Sequence, residues 1–287
     1  MIAIVDSGST KSDWVVLRRD GHEAFRTEMM GLNPFFVEEN TIIQEIKNNE
    51  ELTQNAAEIT HIFFYGAGCA TEAKNAIISN ALKIVFPSAV SIVKSDLVAS
   101  AYAAYNGIPT LVCILGTGSN SCYFDGETIH EETRSLGFIL GDEGSGNNLG
   151  KRLLQAYFTK KLPQHLVEKF DEKYSLTIEE LLSNVYANQF TNRYLASFSH
   201  FVADYKHEPF IQKMVFDSVT EFFENQVLPY PEARQSELNF IGSISYYYEE
   251  IIKAVAARFH MKIGTIVRKP IESLVEYHQQ YILPELQ

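Results

Sequence analysis

The chain contains few cysteines, and none of them is placed to form a cross-link. Cys69, Cys113 and Cys122 are the three cysteines among its 287 residues, an odd number without close pairs. This spacing supports neither a disulfide framework nor a zinc site. We therefore interpret the three residues as small buried hydrophobes of a protein in a reducing compartment.

Long apolar runs are also missing. No stretch of the sequence approaches the roughly 20 residues that are needed to span a bilayer. The first residues, Met1–Val5, form a short strand-like run without the charged-then-apolar layout of a signal peptide. These features predict a cytoplasmic protein that does not have a membrane as its partner.

Basic residues are scarce relative to acidic ones. The sequence has 24 Lys and Arg against 36 Asp and Glu, which gives a formal net charge of -12. Such a surface repels nucleic acid backbones and anionic membranes, so we expect neither as a partner. A local phosphate pocket is still compatible with this charge, because backbone N–H groups can form it.

Strands alternate with helices along the chain, and one pattern occurs twice. The apolar strand Ile2–Asp6 leads into a polar turn, a second strand and the hairpin turn Asp20-Gly21. The strand Leu111–Leu115 leads into a similar polar turn, another strand and the turn Asp125-Gly126. The repeat predicts two related lobes, each with a mixed or parallel sheet.

We expect the N-terminal lobe to comprise residues 1–115 together with the C-terminal helix 271–287. The C-terminal lobe is then formed by residues 116–270, with a helical insertion over 155–228. Apolar periodicity predicts helices over Glu38–Lys47, Tyr246–Phe259 and Ile271–Tyr281.

The first polar turn, Asp6–Lys11, has the composition of an anion-binding loop. Glycine and small hydroxyl residues allow backbone N–H groups to point into a concave turn, and Thr10 adds a hydroxyl donor. Asp6 ends a buried strand and is placed to hold Mg²⁺ through water. A plain hairpin turn capped by Ser and Asp is the alternative. The spacing of a Walker loop is absent.

A second loop, Gly116–Asn120, has the same chemistry and also follows an apolar strand. Two facing loops of this kind can clamp a polyphosphate from both sides. A cleft between two lobes also allows closure that excludes water and limits wasteful hydrolysis.

Acidic residues occur at two further places that suggest chemistry. Asp142 and Glu143 lie among four glycines within Gly137–Gly146, which suggests close approach of a ligand to the backbone. Asp96 follows a buried strand and precedes a helix, where it could accept the proton of an attacking hydroxyl. Capping of the following helix is the alternative at both places.

The segments Asp6–Lys11, Gly116–Asn120 and Gly141–Ser145 resemble the ordered motifs of the BadF/BadG/BcrA/BcrD ATPase and N-acetylglucosamine kinase family. The turn Gly242-Ser243 resembles the later, adenosine-side turn of that family. The order and spacing of these motifs cover nearly the whole chain. The resemblance implies the α/β actin-like ATPase fold, with two ribonuclease-H-like lobes and ATP in the cleft between them.

The resemblance also implies roles for individual residues. ATP and Mg²⁺ would be the cofactors, and an amino sugar (N-acetylglucosamine, glucosamine or N-acetylmuramic acid) would be the small-molecule partner. Asp96 would act as the general base, and Asp6 would lie near the metal. The residues expected near the nucleotide are Asp6, Gly8, Ser9, Thr10, Lys11, Thr117, Gly118, Gly242 and Ser243. The residues expected to hold the sugar are Asn33, Asp96, Ser119, Asn120, Gly137 and Asp142.

The sequence departs from the family at two motifs. Ser7 and Ser9 stand where the family often has glycines. Ser135-Leu136-Gly137 stands where the mammalian amino-sugar kinases carry Gly-Trp-Gly, and a missing indole removes apolar surface beside the sugar. The resemblance therefore leaves the identity of the sugar open.

Two other functions are compatible with the same family. An activator ATPase would hold an iron–sulfur cluster between two subunits, and Cys69 is the cysteine that falls in a predicted loop. A sugar-responsive regulator would add a DNA-binding segment, which the sequence does not contain. A homodimer is an open alternative for the oligomeric state.

Overall fold

The computed structural model describes residues 1–188 and 190–286. The chain divides into two compact units. Unit 1 comprises Met1–Asn106 together with the segment that begins at Lys269, and unit 2 comprises Gly107–Arg268.

Unit 1 is built on a five-stranded sheet in the order β3-β2-β1-β4-β5. The strand β1 pairs antiparallel with β2 and parallel with β4, and β4 pairs parallel with β5. The strands are β1 (Ile2–Ser7), β2 (Lys11–Leu17), β3 (Glu23–Met30), β4 (His61–Gly66) and β5 (Val90–Ser95). The helices are α1 (Glu39–Lys47), α2 (Glu50–Gln54), α3 (Glu72–Val85) and α4 (Asp96–Ala104), with α14 (Ile271–Tyr277) from the end of the chain.

Alternating side chains of β1 divide the core of unit 1 between the two faces of the sheet. Ala3 and Val5 pack in a cluster that includes Ile42 of α1 and Ile78 of α3. The other face belongs to a cluster that includes Leu274 of α14. Because successive strand side chains point to opposite faces, this strand must be apolar throughout when helices cover both faces.

Unit 2 has a five-stranded sheet in the order β10-β9-β6-β7-β8. Its strands are β6 (Thr110–Leu115), β7 (Ser119–Phe124), β8 (Ile129–His130), β9 (Glu237–Ile241) and β10 (Lys262–Val267). Its helices are α5 (Gly137–Leu140), α6 (Gly146–Phe158), α7 (Gln164–Tyr174), α8 (Ile178–Ala187), α9 (Thr191–Ser197), α10 (Ser199–Asp204), α11 (Pro209–Phe222), α12 (Ser243–Tyr247) and α13 (Glu249–Arg258).

The two sheets share one topology. In unit 2, β6 pairs antiparallel with β7 and parallel with β9, and β9 pairs parallel with β10. The strands β6, β7, β8, β9 and β10 therefore occupy the positions that β1 to β5 occupy in unit 1. This duplication confirms the predicted α/β fold with two related lobes. The described part of residues 144–227 is rich in helix, from α6 to α11.

Two predicted helices are wrong in detail. The helix predicted over Tyr246–Phe259 is two helices, because Tyr248 (φ -117°, ψ 28°) leaves the helical region and its side chain is buried. The helix predicted over Ile271–Tyr281 changes at His278 into a π-helical turn, His278–Ile282. Apolar periodicity alone does not register a single non-helical residue or a change of helical pitch.

His278 makes unit 1 sensitive to acid. Its ring is fully buried, its Nε2 lies 2.8 Å from the Tyr65 hydroxyl, and it packs edge-on against Phe63. Burial, with a smaller contribution from Lys94, lowers the pKa of His278 to about 3. The unfolded chain therefore binds more protons than the folded chain between that pKa and the ordinary value of about 6.5.

We expect the free energy of unfolding to fall as the pH drops below about 6.5, by up to about 1.4 kcal/mol per pH unit from this group. His278→Gln removes the titrating ring but keeps a polar partner for Tyr65. Urea unfolding at pH 7 and pH 5 should show a smaller loss in this variant than in the wild type. Equal losses in both proteins would contradict the assignment.

Candidate active site

The first polar loop of unit 1 is fastened to the segment that carries Asn33. The Ser7 hydroxyl accepts a hydrogen bond from the Leu32 N–H (2.9 Å), and the Ser9 hydroxyl accepts one from the Asn33 side-chain amide (2.9 Å). The Asn33 Oδ1 accepts from the Phe35 N–H (2.9 Å), and Asn33 is only 5% exposed. The two serines that replace family glycines therefore supply the contacts between this loop and a predicted sugar-binding residue.

Three carboxylates lie along the carboxyl edge of the sheet in unit 1. Asp6 of β1 is directly opposite Asp13 of β2, and the ends of β1, β4 and β5 are in register at Ser7, Gly66 and Ser95. Asp96 follows Ser95 directly. Because β4 separates β1 from β5, the backbones of these two strand ends are about 10 Å apart.

The surroundings of Asp6 raise its pKa. Burial, followed by the negative charges of Asp96 and Asp13, raises the pKa of Asp6 to about 7, against the opposing effect of Lys269. Lys269 donates to Asp13 (3.2 Å) and to Glu28 (3.3 Å). Asp13, the acid opposite Asp6, is therefore paired with a cation, whereas Asp6 itself has negative charges on both sides.

This crowding fits a divalent cation at Asp6. Mg²⁺ in phosphoryl-transfer sites is commonly held by one or two carboxylates, waters and substrate phosphates. In the described residues, no group of three or more His, Cys, Asp or Glu side chains is arranged to hold a metal. A metal at Asp6 would thus depend on water and on the nucleotide for most of its ligands.

Lys11, which was expected near the nucleotide, and Asp96 each have a defined place at this edge of the sheet. The Lys11 ammonium forms ion pairs with Glu28 and with Asp13 (3.8 Å), so its charge is directed to the sheet edge. Asp96 is the first residue of α4, and the cap position is occupied by Ser95. Asp96 therefore lies in the first turn of α4, at the positive end of the helix.

The second polar loop, Gly116–Asn120, lies in unit 2 and is hydrogen-bonded to the start of α6. The carbonyl of Gly116 accepts the Gly146 N–H (2.8 Å), and the carbonyl of Thr117 accepts the Asn147 N–H (3.0 Å). Ser119 is 6% exposed, and its hydroxyl has no hydrogen-bond partner in the described chain. An unpaired buried hydroxyl at this loop suits a polar ligand.

Asp142 turns its carboxylate towards the second loop. Its Oδ1 accepts the Ser119 N–H (3.1 Å), its Oδ2 accepts the Asn147 side-chain amide (2.7 Å), and its backbone has a φ of 61°. Burial raises the pKa of Asp142, and these two hydrogen bonds oppose the rise. The N-cap of α6 is Ser145, whose hydroxyl accepts the Asn148 N–H, so Asp142 is not itself the capping residue.

The turn at Gly242 and Ser243 approaches the same loop. Gly242 has a φ of 124°, and a Cβ at this position would collide with the Leu115 carbonyl and lie 3.2 Å from the Gly116 nitrogen. Both the conformation and the contact require glycine. The predicted adenosine-side turn and the predicted phosphate loop of unit 2 are therefore neighbours.

The predicted residues thus collect in one group within each unit. Unit 1 brings together the first loop, Asn33, Asp6 and Asp96. Unit 2 brings together the second loop, Asp142, Gly242 and Ser243. Gly137 begins α5, in a segment where Leu136, Ile139 and Leu140 are exposed by 61%, 75% and 74%.

Sequence reasoning missed Asn147, which contacts both the second loop and Asp142. Two consecutive asparagines open α6, and asparagine is unfavourable inside a helix unless its side chain has a specific partner. The two consecutive asparagines were therefore the sequence signal that could have identified Asn147.

The structure adds one general constraint. Among the described residues, no helix is both long enough and apolar enough to cross a lipid bilayer.

Comparisons with known proteins identify the family. The model of the BadF/BadG/BcrA/BcrD ATPase family matches residues 5–202. Among curated proteins, no significant match to the chain was found.

Solved structures resemble the whole chain. A protein from Porphyromonas gingivalis, named as a "putative N-acetylglucosamine kinase", is 37% identical, with a TM-score of 0.90 over 98% of this chain and 99% of that one. A Chromobacterium violaceum protein that carries the same name is 13% identical, with a TM-score of 0.72 over 96% and 98% of the two chains. A ROK family glucokinase from Streptomyces griseus, solved with glucose and AMPPNP, is 11% identical, with a TM-score of 0.57 over 97% and 98%. The last two likenesses concern the fold alone.

The family model covers the motifs of both units as far as α10, and the 37% identity extends over nearly the full length. The chain therefore belongs to the BadF/BadG/BcrA/BcrD ATPase family.

Proposed function

We propose that this protein transfers the γ-phosphoryl group of ATP to a hydroxyl of an amino sugar, with Asp96 as the general base. The broad class rests on family membership and on the 37% identity to the Porphyromonas gingivalis protein: the protein is an ATP-dependent sugar kinase. The amino sugar and the role of Asp96 are the finer part of the proposal.

The observation that carries the proposal is the common sheet edge of Asp96 and the first loop. Asp96 begins α4 directly after β5, whose end is in register with the end of β1. It is close enough to raise the pKa of Asp6. A base at this position is adjacent to the loop proposed to bind phosphate, as an in-line transfer requires.

Asp96 takes the proton of the sugar hydroxyl, and the oxygen attacks the γ-phosphorus. The bond between this phosphorus and the β–γ bridging oxygen breaks, and ADP leaves with the electron pair. When bound near Asp6, Mg²⁺ would supply positive charge to the phosphate oxygens. Backbone N–H groups of the first loop, in the same unit as Asp96, would donate hydrogen bonds to the same oxygens.

Asn33 and Asp142 are suited to hold the sugar because both are buried polar groups of fixed orientation. Asn33 is held by Ser9 and the Phe35 N–H, and Asp142 is held by Ser119 and Asn147. A carboxylate accepts hydrogen bonds from hydroxyl and acylamino N–H groups, and an amide can both accept and donate them. N-acetylglucosamine, glucosamine and N-acetylmuramic acid are the candidate substrates.

The activator ATPase alternative requires an accessible cysteine for a cluster shared between subunits. Cys69 is 2% exposed, and Cys113 and Cys122 are fully buried. Burial raises the pKa of Cys69 to about 12, which disfavours the thiolate that an iron ligand requires. Iron analysis of the purified protein tests this alternative, and stoichiometric iron would support it.

A coupled assay of ADP release tests the kinase proposal over a sugar panel. We expect release to depend on added sugar and kcat/KM to be highest for one of the three amino sugars, with glucose as the matched control. Mass spectrometry should find one phosphoryl group added to that sugar. Equal ATP turnover with and without every sugar would overturn the kinase assignment. A preference for glucose would overturn only the amino-sugar assignment.

A further inference from the structure

One buried amide joins the second loop to Asp142. Asn147 lies in the first turn of α6 and is 0% exposed. Its Nδ2 donates to the Thr117 carbonyl (2.7 Å) and to the Asp142 Oδ2 (2.7 Å), and its backbone N–H donates to the same Thr117 carbonyl (3.0 Å). The side chain therefore spans two segments that are 25 residues apart in the sequence.

The Thr117 carbonyl and the Asp142 carboxylate determine which side chain suits position 147. Both are acceptors, so both protons of the primary amide are used, and the Asn147 Oδ1 has no partner within the described chain. An aspartate here would oppose two acceptors, and an alanine would leave them without this donor. Asparagine therefore suits this position because its amide offers two N–H donors.

Asp142 needs such support because its backbone is in the left-handed region, with a φ of 61°. A residue other than glycine in this region is retained only when its surroundings hold it there. Two hydrogen bonds supply that restraint, from the Ser119 N–H and from Asn147. Removal of Asn147 leaves the carboxylate with one of them.

We propose that Asn147 is a positioning residue that couples the nucleotide loop at Thr117 to the sugar-binding carboxylate of Asp142. The inference rests on the proposed function for the roles of these two groups. Asn147 contacts neither substrate and acts through Thr117 and Asp142. Unit 1 has an analogous tie, because the Ser9 hydroxyl accepts the Asn33 amide between its own loop and its own sugar-side residue.

The test compares Asn147→Ala, Asn147→Asp and the milder Asn147→Ser with Asn239→Ala. Asn239 is a matched control because it is a buried asparagine of the same unit, 2% exposed, with its amide donating to Thr110 (2.8 Å) and its oxygen accepting the Thr265 N–H. Its partner Thr110 lies at the opposite end of β6 from the second loop.

We expect Asn147→Ala to raise the KM for the sugar roughly tenfold or more, as loss of a hydrogen bond to a charged group predicts. Asn147→Asp should raise it further, and Asn147→Ser should lie between the wild type and the alanine variant. Asn239→Ala should lower the unfolding temperature comparably and keep the wild-type KM. A general loss of stability lowers the active fraction and hence the apparent kcat, whereas it does not change KM.

The inference would be overturned if the folded Asn147 variants kept the wild-type KM for the sugar. It would also be overturned if Asn239→Ala raised this KM as much as the Asn147 variants do. If alanine and aspartate do not fold, Asn147→Ser decides it. If the wild type shows no sugar-dependent turnover, the proposed function fails instead. Calorimetry with ADP then tests the Thr117 side separately: weaker ADP binding in the Asn147 variants supports the coupling, and unchanged binding excludes it.

Discussion

Asp96→Asn is expected to lower kcat by more than a hundredfold, while the protein keeps its fold. The substitution preserves the shape of the side chain but removes the group that accepts the hydroxyl proton, and general base catalysis contributes about 10²–10⁴. Steady-state kinetics with the preferred sugar and saturating ATP measures the loss. Because the chemical step is affected, kcat should fall much more than the affinity for either substrate changes.

Asp96 also lies at the positive end of α4, so its charge can stabilise that helix. Glu72→Gln is the matched control, because Glu72 is the first residue of α3 and is exposed. Both variants should lose a similar, small part of the stability, and only Asp96→Asn should lose turnover. Near-normal kcat in Asp96→Asn would remove this residue from the mechanism.

Gly31→Ala is expected to reduce kcat/KM for ATP about a hundredfold. A Cβ at Gly31 would collide with the Gly8 carbonyl oxygen and lie 2.6 Å from the Ser9 carbonyl carbon. The obstacle is backbone, so the first loop must shift, and a displacement of about 1 Å near reacting groups can cost about 10²-fold. The kinetics of ATP turnover and calorimetry with ADP measure the effect.

Gly21→Ala is the control for this prediction. Gly21 has a φ of 83°, and a Cβ there would meet no atom within 4 Å, so the substitution strains only an exposed hairpin turn. We expect a loss of about 1 kcal/mol in the free energy of unfolding with normal kinetics. Normal ATP kinetics in Gly31→Ala would show that the contact between Gly31 and the first loop does not hold that loop in its active form.

Much of the fold follows from local sequence patterns. The strand Ile2–Ser7 has apolar residues on both faces, and the turn that follows it is small and polar. A few neighbouring residues therefore predict both the strand and its loop. The same signals recur at Thr110–Leu115, and the two sheets do share one strand order. Local signals failed where one residue changes the backbone, as at Tyr248 and His278.

The site itself was predictable only in part. Glycine-and-hydroxyl loops, Asp96 and Asp142 stand out because their types and spacing are unusual for plain turns. The contacts of Ser9 with Asn33 and of Asn147 with Thr117 join residues that are 24 and 30 positions apart along the chain, so no local pattern predicts them. Those pairs exist only once the elements have packed.

Residue type and periodicity therefore specified the elements, the duplicated topology and the chemistry of the two loops. Packing specified which polar groups meet: three carboxylates at one sheet edge, where burial and the charges of Asp96 and Asp13 raise the pKa of Asp6 to about 7, and one amide with two acceptors at the start of α6. The physical reason is the distance over which each kind of interaction acts. Backbone preferences act over a few residues, whereas electrostatic fields and hydrogen-bond partners depend on distances in space that only the folded chain defines.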